Sequence, residues 1–172
     1  GVDFFVGQLV EPQTNQSLTR EGLQEINEAR RLSIYSLPLE LAIKVVKGNG
    51  KRKLAVFSDP NCRYCKRLEK ELAKVTDVTI YTLLYSVPHG SVDTDTATWC
   101  SADRLKAWND FMLKDADPTG KTCETPIETL LQTGQKHAVN GTPTLIFADG
   151  SVVPGMITAD IVEKKLGGTT IK

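Results

Sequence analysis

Two cysteines, Cys62 and Cys65, have the residue type and spacing that most clearly indicate chemistry in this chain. They follow an apolar run at 53–57 and a turn at 58–61, and a helical pattern begins with them, so both lie in the first turn of a predicted helix. Unpaired backbone N–H groups and the positive end of the helix dipole stabilise an anion there. Cysteine offers a thiolate, the form that attacks disulfides. The two sulfurs lie on one side of the helix and can close a small disulfide ring.

Two other interpretations of this pair are half of a zinc site and a purely structural disulfide. Zinc ribbons usually add a second CxxC or a histidine pair at short spacing. The remaining cysteines, Cys100 and Cys123, are isolated, and His89 and His137 form no ligand pair. The pattern therefore favours redox chemistry over metal binding, and we expect no metal.

Length and charge limit the classes of protein to which the chain can belong. Its 172 residues can hold one full domain, with room for an appended element. Lys plus Arg and Asp plus Glu both number 21, so the formal net charge is zero, which argues against a nucleic-acid binder. No apolar run approaches the ~20 residues that span a bilayer.

The first residues, 1–7, have neither a basic region nor a small-residue cleavage site, so we do not expect a signal peptide there. The chain opens on Gly1 rather than methionine, and we interpret it as a mature or truncated piece of a longer protein. Loss of an export signal remains open. Four cysteines are compatible with two disulfides in an oxidising compartment.

Periodicity predicts a mixed α/β domain. The predicted strands are residues 4–10, 41–46, 54–57 and 78–85, followed by a hairpin at 144–153 around Asp149-Gly150. The predicted helices are a stretch opening at Ser17 or Thr19, the CxxC helix, 98–114, 125–137 and 158–166, with 86–95 as a polar loop. The strand–helix–strand unit around the CxxC implies a right-handed crossover and parallel pairing. The first helix is either a solvated connector or a helix on the surface of the domain itself.

Several segments together carry a resemblance to a known family. They are Phe57-Ser58-Asp59-Pro60-Asn61-Cys62-Arg63-Tyr64-Cys65, Trp99-Cys100, Ala107-Trp108, Cys123 and Val139-Asn140-Gly141-Thr142-Pro143-Thr144. With them the chain resembles thioredoxin-fold proteins, and more narrowly the periplasmic disulfide isomerases DsbC and DsbG, over about residues 36–168.

The resemblance implies a domain organisation. Residues 1–16 would be a remnant of an N-terminal dimerisation domain, most of which is missing here, and 17–37 a linker helix. Residues 38–172 would form a thioredoxin-like catalytic domain with a helical insertion at about 92–137.

The resemblance also implies roles for the site residues. Cys62 would be the exposed nucleophile, its thiolate stabilised by the helix start, and Cys65 the more buried resolving thiol. Thr142-Pro143 would have a cis peptide bond that packs against the CxxC, and the backbone of Thr142 would pair with an extended substrate. An ordinary trans turn is the alternative.

The resemblance further implies a buried structural disulfide between Cys100 and Cys123. A second redox relay or two free thiols are the alternatives.

One position departs from the family pattern. The resembling proteins have Gly-Tyr or Pro-Tyr between the two cysteines, whereas this chain has Arg63-Tyr64. Tyr64 fits both and could contact unfolded clients, but Arg63 fits neither, so the redox balance is open. Arg63 either adds a small, screened stabilisation of the thiolate or points outward. Asp59 is expected to cap the helix or to be solvated rather than to perturb the thiol.

The function implied by the resemblance is thiol:disulfide interchange without a cofactor. Misfolded or disulfide-containing exported proteins would be the clients, in the periplasm of a Gram-negative bacterium. A membrane thiol reductant of the DsbD type would keep the dithiol reduced, and the full-length protein would be a homodimer. The alternatives are a DsbG-like reductase of sulfenylated or single-cysteine clients, a chaperone-like binding module with secondary redox activity, and a specialised oxidase.

Overall fold

The computed structural model describes residues 31–86 and 92–167. The predicted strand at 4–10, the proposed dimerisation remnant and most of the predicted linker helix lie outside these residues. The strands are β1 Ile43–Lys47, β2 Arg52–Ser58, β3 Val78–Leu84, β4 Thr144–Phe147 and β5 Val152–Pro154. The helices are α1 Arg63–Leu72, α2 Val92–Trp99, α3 Arg104–Lys114, α4 Ile127–Lys136 and α5 Ala159–Lys165, with 3-10 turns at Ile34–Ser36 and Leu39–Leu41.

The five strands form one mixed sheet in the order β1-β3-β2-β4-β5. β2 and β3 pair in parallel across α1, as predicted, and the other neighbours pair antiparallel. β2 is central, and its residues 54–58 are all buried. A strand covered on both faces is a continuous apolar run, which is why this segment was recognisable in the sequence.

Alternate residues of β2 face two separate apolar layers. Leu54 and Val56 belong to the layer formed with α1 and α5, whereas Ala55 and Phe57 belong to the layer beneath the helices of the insertion. This alternation follows from the two-residue period of a strand. The sheet is therefore fixed from both sides, and the end of β2 is a rigid place from which to start α1.

The helical insertion differs from its prediction. The expected helix at 98–114 is two helices, α2 and α3, and α2 begins at Val92, inside the segment predicted as a polar loop. The break occurs because the Asp103 side chain accepts a hydrogen bond from the Lys106 backbone N–H, 3.0 Å away, and so caps a new helix.

The last residues of the predicted linker helix, 31–37, are not α-helical. Arg31 forms an isolated bridge with Ser151, and the Leu32 N–H donates to the Gly150 carbonyl at 2.8 Å. Ile34 is fully buried in the layer beneath the insertion. Residues 31–37 therefore pack against the domain instead of continuing a helix.

Tyr85, directly after β3, connects the sheet to the insertion. Its N–H donates to the Ser58 carbonyl at 2.9 Å, and its hydroxyl donates to the Val139 carbonyl at 2.7 Å. Its ring packs edge-on against Phe57, and Gly134 of α4 lies directly against the ring, with no room for a Cβ atom. Gly134 is therefore required for close packing.

No helix in the described ranges combines the length and the apolar content that crossing a membrane requires.

We expect Gly134→Ala to lower the free energy of unfolding by about 1–3 kcal/mol, because the added methyl group overpacks against Tyr85. Alanine is otherwise the better helix former by about 1 kcal/mol. Urea denaturation measures the change. Gln135→Ala, at the exposed neighbouring position, is the control and should change stability little. A Gly134→Ala protein as stable as the parent would contradict the packing described here.

Candidate active site

The start of α1 places the two cysteines. Cys62 is the N-cap residue, with extended backbone, and its carbonyl accepts the Lys66 N–H at 3.0 Å. The Cys62 N–H donates to the Asp59 carbonyl at 3.1 Å, which closes the turn between β2 and the helix. The Cys62 side chain makes no capping hydrogen bond. Its sulfur lies at the end of the helix where backbone N–H groups favour negative charge.

The two thiols have different surroundings, and neither is in a disulfide. Cys62 is half-buried, and its Sγ lies 3.5 Å from the Thr142 carbonyl oxygen, to which it donates. Cys65 is fully buried, and its Sγ accepts the Asp59 N–H at 3.4 Å. A reagent can thus reach Cys62 while the protein encloses Cys65.

Burial raises the pKa of the Cys65 thiol to about 12, although the hydrogen bond from the Asp59 N–H acts in the opposite direction. Cys65 is therefore a neutral thiol near pH 7. A thiol must lose its proton before it can attack a disulfide, so any reaction of Cys65 requires a change in its surroundings or a proton acceptor.

The loop before β4 faces the dithiol. The Thr142–Pro143 peptide bond is cis, and Pro143 is buried. The loop is held by the Thr144 hydroxyl, which donates to the Gly141 carbonyl at 2.8 Å, and by the Gly155 N–H, which donates to the Pro143 carbonyl at 2.7 Å. The Thr142 carbonyl is thereby fixed next to Cys62.

The two residues between the cysteines are both exposed. The exposed fraction of Tyr64 is 51%, and the Arg67 guanidinium lies 5.7 Å from the centre of its ring. Arg63 is likewise exposed. Both side chains thus belong to the surface that surrounds Cys62.

Two buried carboxyl groups lie near the carboxyl ends of β2 and β3. Asp59 accepts the Asn61 N–H at 2.9 Å and is 6% exposed, so it closes the turn; the expectation that it caps the helix or is solvated is wrong. Asp95 of α2 is fully buried and accepts a hydrogen bond from the Ser86 hydroxyl. Its other carboxyl oxygen has no hydrogen-bond partner in the described part of the chain.

Burial, together with the negative charge of Asp59, raises the pKa of Asp95 to about 8. Asp95 is therefore mostly protonated at neutral pH. Asp95 is not predictable as a site residue from the sequence, because nothing in the polar stretch 92–98 distinguishes it from the exposed Asp93.

The other two cysteines form a disulfide, with Cα atoms 5.7 Å apart. It joins the end of α2 to the irregular segment between α3 and α4. Cys123 is exposed and Cys100 is half-buried, so the expectation of a buried bond is wrong. The reason is that residues 115–126 have no helix or strand that would bring Cys123 into a core.

Of the two histidines, the structure describes only His137. His137 is half-buried at the end of α4, and His89 lies outside the described residues. Within the described ranges, no group of three or more His, Cys, Asp or Glu side chains could hold a metal ion.

We expect iodoacetamide to modify Cys62 alone at pH 7.5 in native protein whose Cys62–Cys65 dithiol is reduced and whose Cys100–Cys123 disulfide is intact, because Cys65 is enclosed and protonated. Peptide mass spectrometry after a short reaction identifies the modified residue. In denaturant both thiols should react, which provides the control. Labelling of native Cys65 at a rate similar to Cys62 would contradict the geometry.

We expect Asp95→Asn to raise the free energy of unfolding at pH 8 by up to about 5 kcal/mol, which corresponds to the difference between the folded-state and ordinary pKa values of Asp95. The folded-state pKa of Asp95 is about 8, against 3.8 as its ordinary value. Between pH 4 and pH 8 the folded state therefore keeps a proton on Asp95 that the unfolded state has lost. The free energy of unfolding falls as the pH rises through this range. Asparagine does not ionise in this range, so the free energy of unfolding of Asp95→Asn should depend less on pH than that of the parent.

Urea denaturation between pH 4 and pH 8 tests this expectation. Asp93→Asn, at the exposed position two residues earlier, is the matched control and should leave the slope unchanged. The same slope in Asp95→Asn and in the parent would show that Asp95 ionises as an exposed carboxyl group does.

Comparison with known proteins identifies the family. The family described as thioredoxin-like domain matches residues 39–169. The probable thiol:disulfide interchange protein DsbC of Bordetella parapertussis is 38% identical over 163 residues, which cover 93% of this chain and 57% of that protein. DsbC of Escherichia coli K12 is 28% identical over 140 residues, covering 77% and 54%. The chain thus spans little more than half the length of these curated relatives.

Solved structures agree with this relationship. A disulfide interchange protein from Neisseria gonorrhoeae superimposes with a TM-score of 0.73 and 40% identity, over 77% of this chain and 97% of that one. A linker-deletion mutant of Proteus mirabilis ScsC shares the fold at 19% identity, with a TM-score of 0.65 over 96% and 99% of the two chains. The resemblance inferred from the sequence is confirmed: the chain belongs to the thioredoxin-like domain family and is similar, within it, to the DsbC-type thiol:disulfide interchange proteins.

Proposed function

We propose that this chain is the catalytic part of a thiol:disulfide interchange protein that isomerises or reduces non-native disulfides. One observation carries the proposal: a reachable thiol, Cys62, begins a helix opposite the Thr142 carbonyl, and a second, enclosed thiol follows three residues later. The curated relatives with this name support it.

The reaction starts at Cys62. Its thiolate attacks one sulfur of a client disulfide, the client S–S bond breaks, and the other client sulfur leaves as a thiolate that takes up a proton. The new bond joins Cys62 to the client. The helix start favours negative charge on the attacking sulfur, and the backbone of Thr142 would offer an extended client a strand-like partner.

Two routes resolve this mixed disulfide. A second client thiol can attack it, which regenerates Cys62 and rearranges the client's disulfides. Alternatively Cys65 loses its proton and attacks Cys62, which releases a reduced client and leaves the Cys62–Cys65 disulfide. The raised pKa of Cys65 slows the second route, and so gives a client thiol time to act.

The same proposal includes the clients, the compartment, the reductant and the oligomeric state. Misfolded or disulfide-containing exported proteins would be the clients, in the periplasm of a Gram-negative bacterium. A membrane thiol reductant of the DsbD type would return the Cys62–Cys65 disulfide to the dithiol. The full-length protein would be a homodimer. The names of the DsbC-type relatives support disulfide-containing clients; the compartment, the reductant and the homodimer are implied by the resemblance to that family.

We expect Cys62→Ala to reduce insulin disulfides no faster than buffer containing glutathione, because the attacking sulfur is gone. Cys65→Ala should instead accumulate a covalent adduct with a client, because internal resolution is lost. Intact-mass spectrometry detects this adduct, and reductant should remove it.

The double variant Cys62→Ala/Cys65→Ala is the control and should form no adduct. Reactivation of scrambled ribonuclease by the full-length protein tests the isomerase activity specifically. Full activity of Cys62→Ala in the insulin assay would overturn the proposal.

A further inference from the structure

Four cations lie along one face of α1, beside the dithiol. Arg63, Lys66, Arg67 and Lys70 are spaced by three, four and seven residues, which places them on the same side of a helix. Together with Asn61 they line a shallow, open depression of about 400 Å³. We call these four residues and their depression the basic face.

Little negative charge offsets the basic face. Lys66 pairs with Asp115 at 2.7 Å and lies over the Phe111 ring. In the ranges that the structure describes, Arg63, Arg67 and Lys70 form no ion pair within 4 Å, and Asp115 is the carboxylate that also attracts Lys70 at longer range. The protein has equal numbers of positive and negative residues overall. The positive charge of the basic face is therefore a local feature of α1 and not part of a net positive charge.

The two acidic residues of α1 are directed elsewhere. Glu69 lines a separate cavity with Lys47, and its burial raises its pKa to about 7, so its charge is partly lost at neutral pH. Glu71 accepts the Ala159 N–H at 2.9 Å and pairs with Lys74. Neither carboxylate neutralises the basic face.

The basic face is close enough to Cys62 to affect a bound client. Lys70 is eight residues from Cys62, about 12 Å along the helix axis at 1.5 Å per residue, and the other three cations are nearer. This distance is comparable to the screening length of ~10 Å at 0.1 M salt. The positive end of the helix dipole has the same sign. A client chain that crosses Cys62 therefore enters a positive potential.

We propose that the basic face selects client disulfides whose neighbouring residues are acidic, which names a substrate class for the site and rests on the proposed function. The occupant is an unfolded client segment with Asp or Glu within a few residues of the attacked cysteine. The attraction acts on encounter, so it raises the rate of mixed-disulfide formation and weakens with salt. The exposed ring of Tyr64, beneath Arg67, is the apolar part of the same surface.

The test uses the reduced protein and two peptide disulfides of identical length. One has glutamates beside each cysteine and the other has lysines. The reaction is complete without another reactant: the dithiol gives two electrons and two protons, the peptide disulfide becomes two thiols, and the Cys62–Cys65 bond forms. Each rate constant is divided by the rate of the same peptide with dithiothreitol, which removes its intrinsic reactivity.

We expect the acidic peptide to react about 10-fold faster than the basic one at low ionic strength, and about 2-fold faster or less near 0.5 M salt. Arg67→Gln/Lys70→Gln should lower the low-salt ratio severalfold. The matched control is Lys51→Gln/Lys53→Gln, which removes the same charge at the opposite end of β2, one seven-residue strand away from the dithiol. It should keep the parent ratio.

Each other outcome has a distinct meaning. A ratio near one in the parent, or an unchanged ratio in Arg67→Gln/Lys70→Gln, overturns the charge selection and leaves the dithiol function intact. An equal fall in both double variants shows a general charge effect and also overturns the selection. Failure to reduce either peptide removes the proposed function, and this inference with it.

Discussion

The position of β2 in the sheet is the constraint on which the site depends. β2 pairs with β3 on one side and β4 on the other, and its last residues are buried on both faces. Its carboxyl end leads through the Asp59 turn to Cys62. In its pairing with β4, Phe57 stands opposite Thr144, two residues after Thr142. One strand thus positions both the sulfur and the carbonyl that faces it, and a register shift of one residue would separate them.

The same end of the sheet contains polar groups in an otherwise apolar interior. Ser58, Asp59, Ser86 and Asp95 are all buried there. An ionised carboxylate in such a place is costly, and a shift in pKa reduces the cost by keeping the group neutral. Asp95 shows this response, and the enclosed thiol of Cys65 shows it in the same direction. Burial therefore raises the pKa of both Asp95 and Cys65, because it favours their neutral forms.

The features that could be predicted from the sequence are those that depend on local patterns of residues. The CxxC at a strand-to-helix junction, the parallel pairing across α1 and the Asp149-Gly150 hairpin each depend on a few consecutive residues. The break between α2 and α3 depends instead on one capping carboxylate, Asp103, within a pattern that also suits a continuous helix. The burial of Asp95 depends on tertiary packing, which periodicity in a polar segment does not reveal.

The disulfide between Cys100 and Cys123 gives this protein two separate redox couples. The Cys62–Cys65 dithiol coexists here with a bridge whose Cys123 end is open to solvent. Reductant added to prepare the dithiol therefore also reaches the bridge, and a thiol count distinguishes two free sulfhydryls from four. An equilibrium potential measured on this chain describes Cys62 and Cys65 only while that count remains at two.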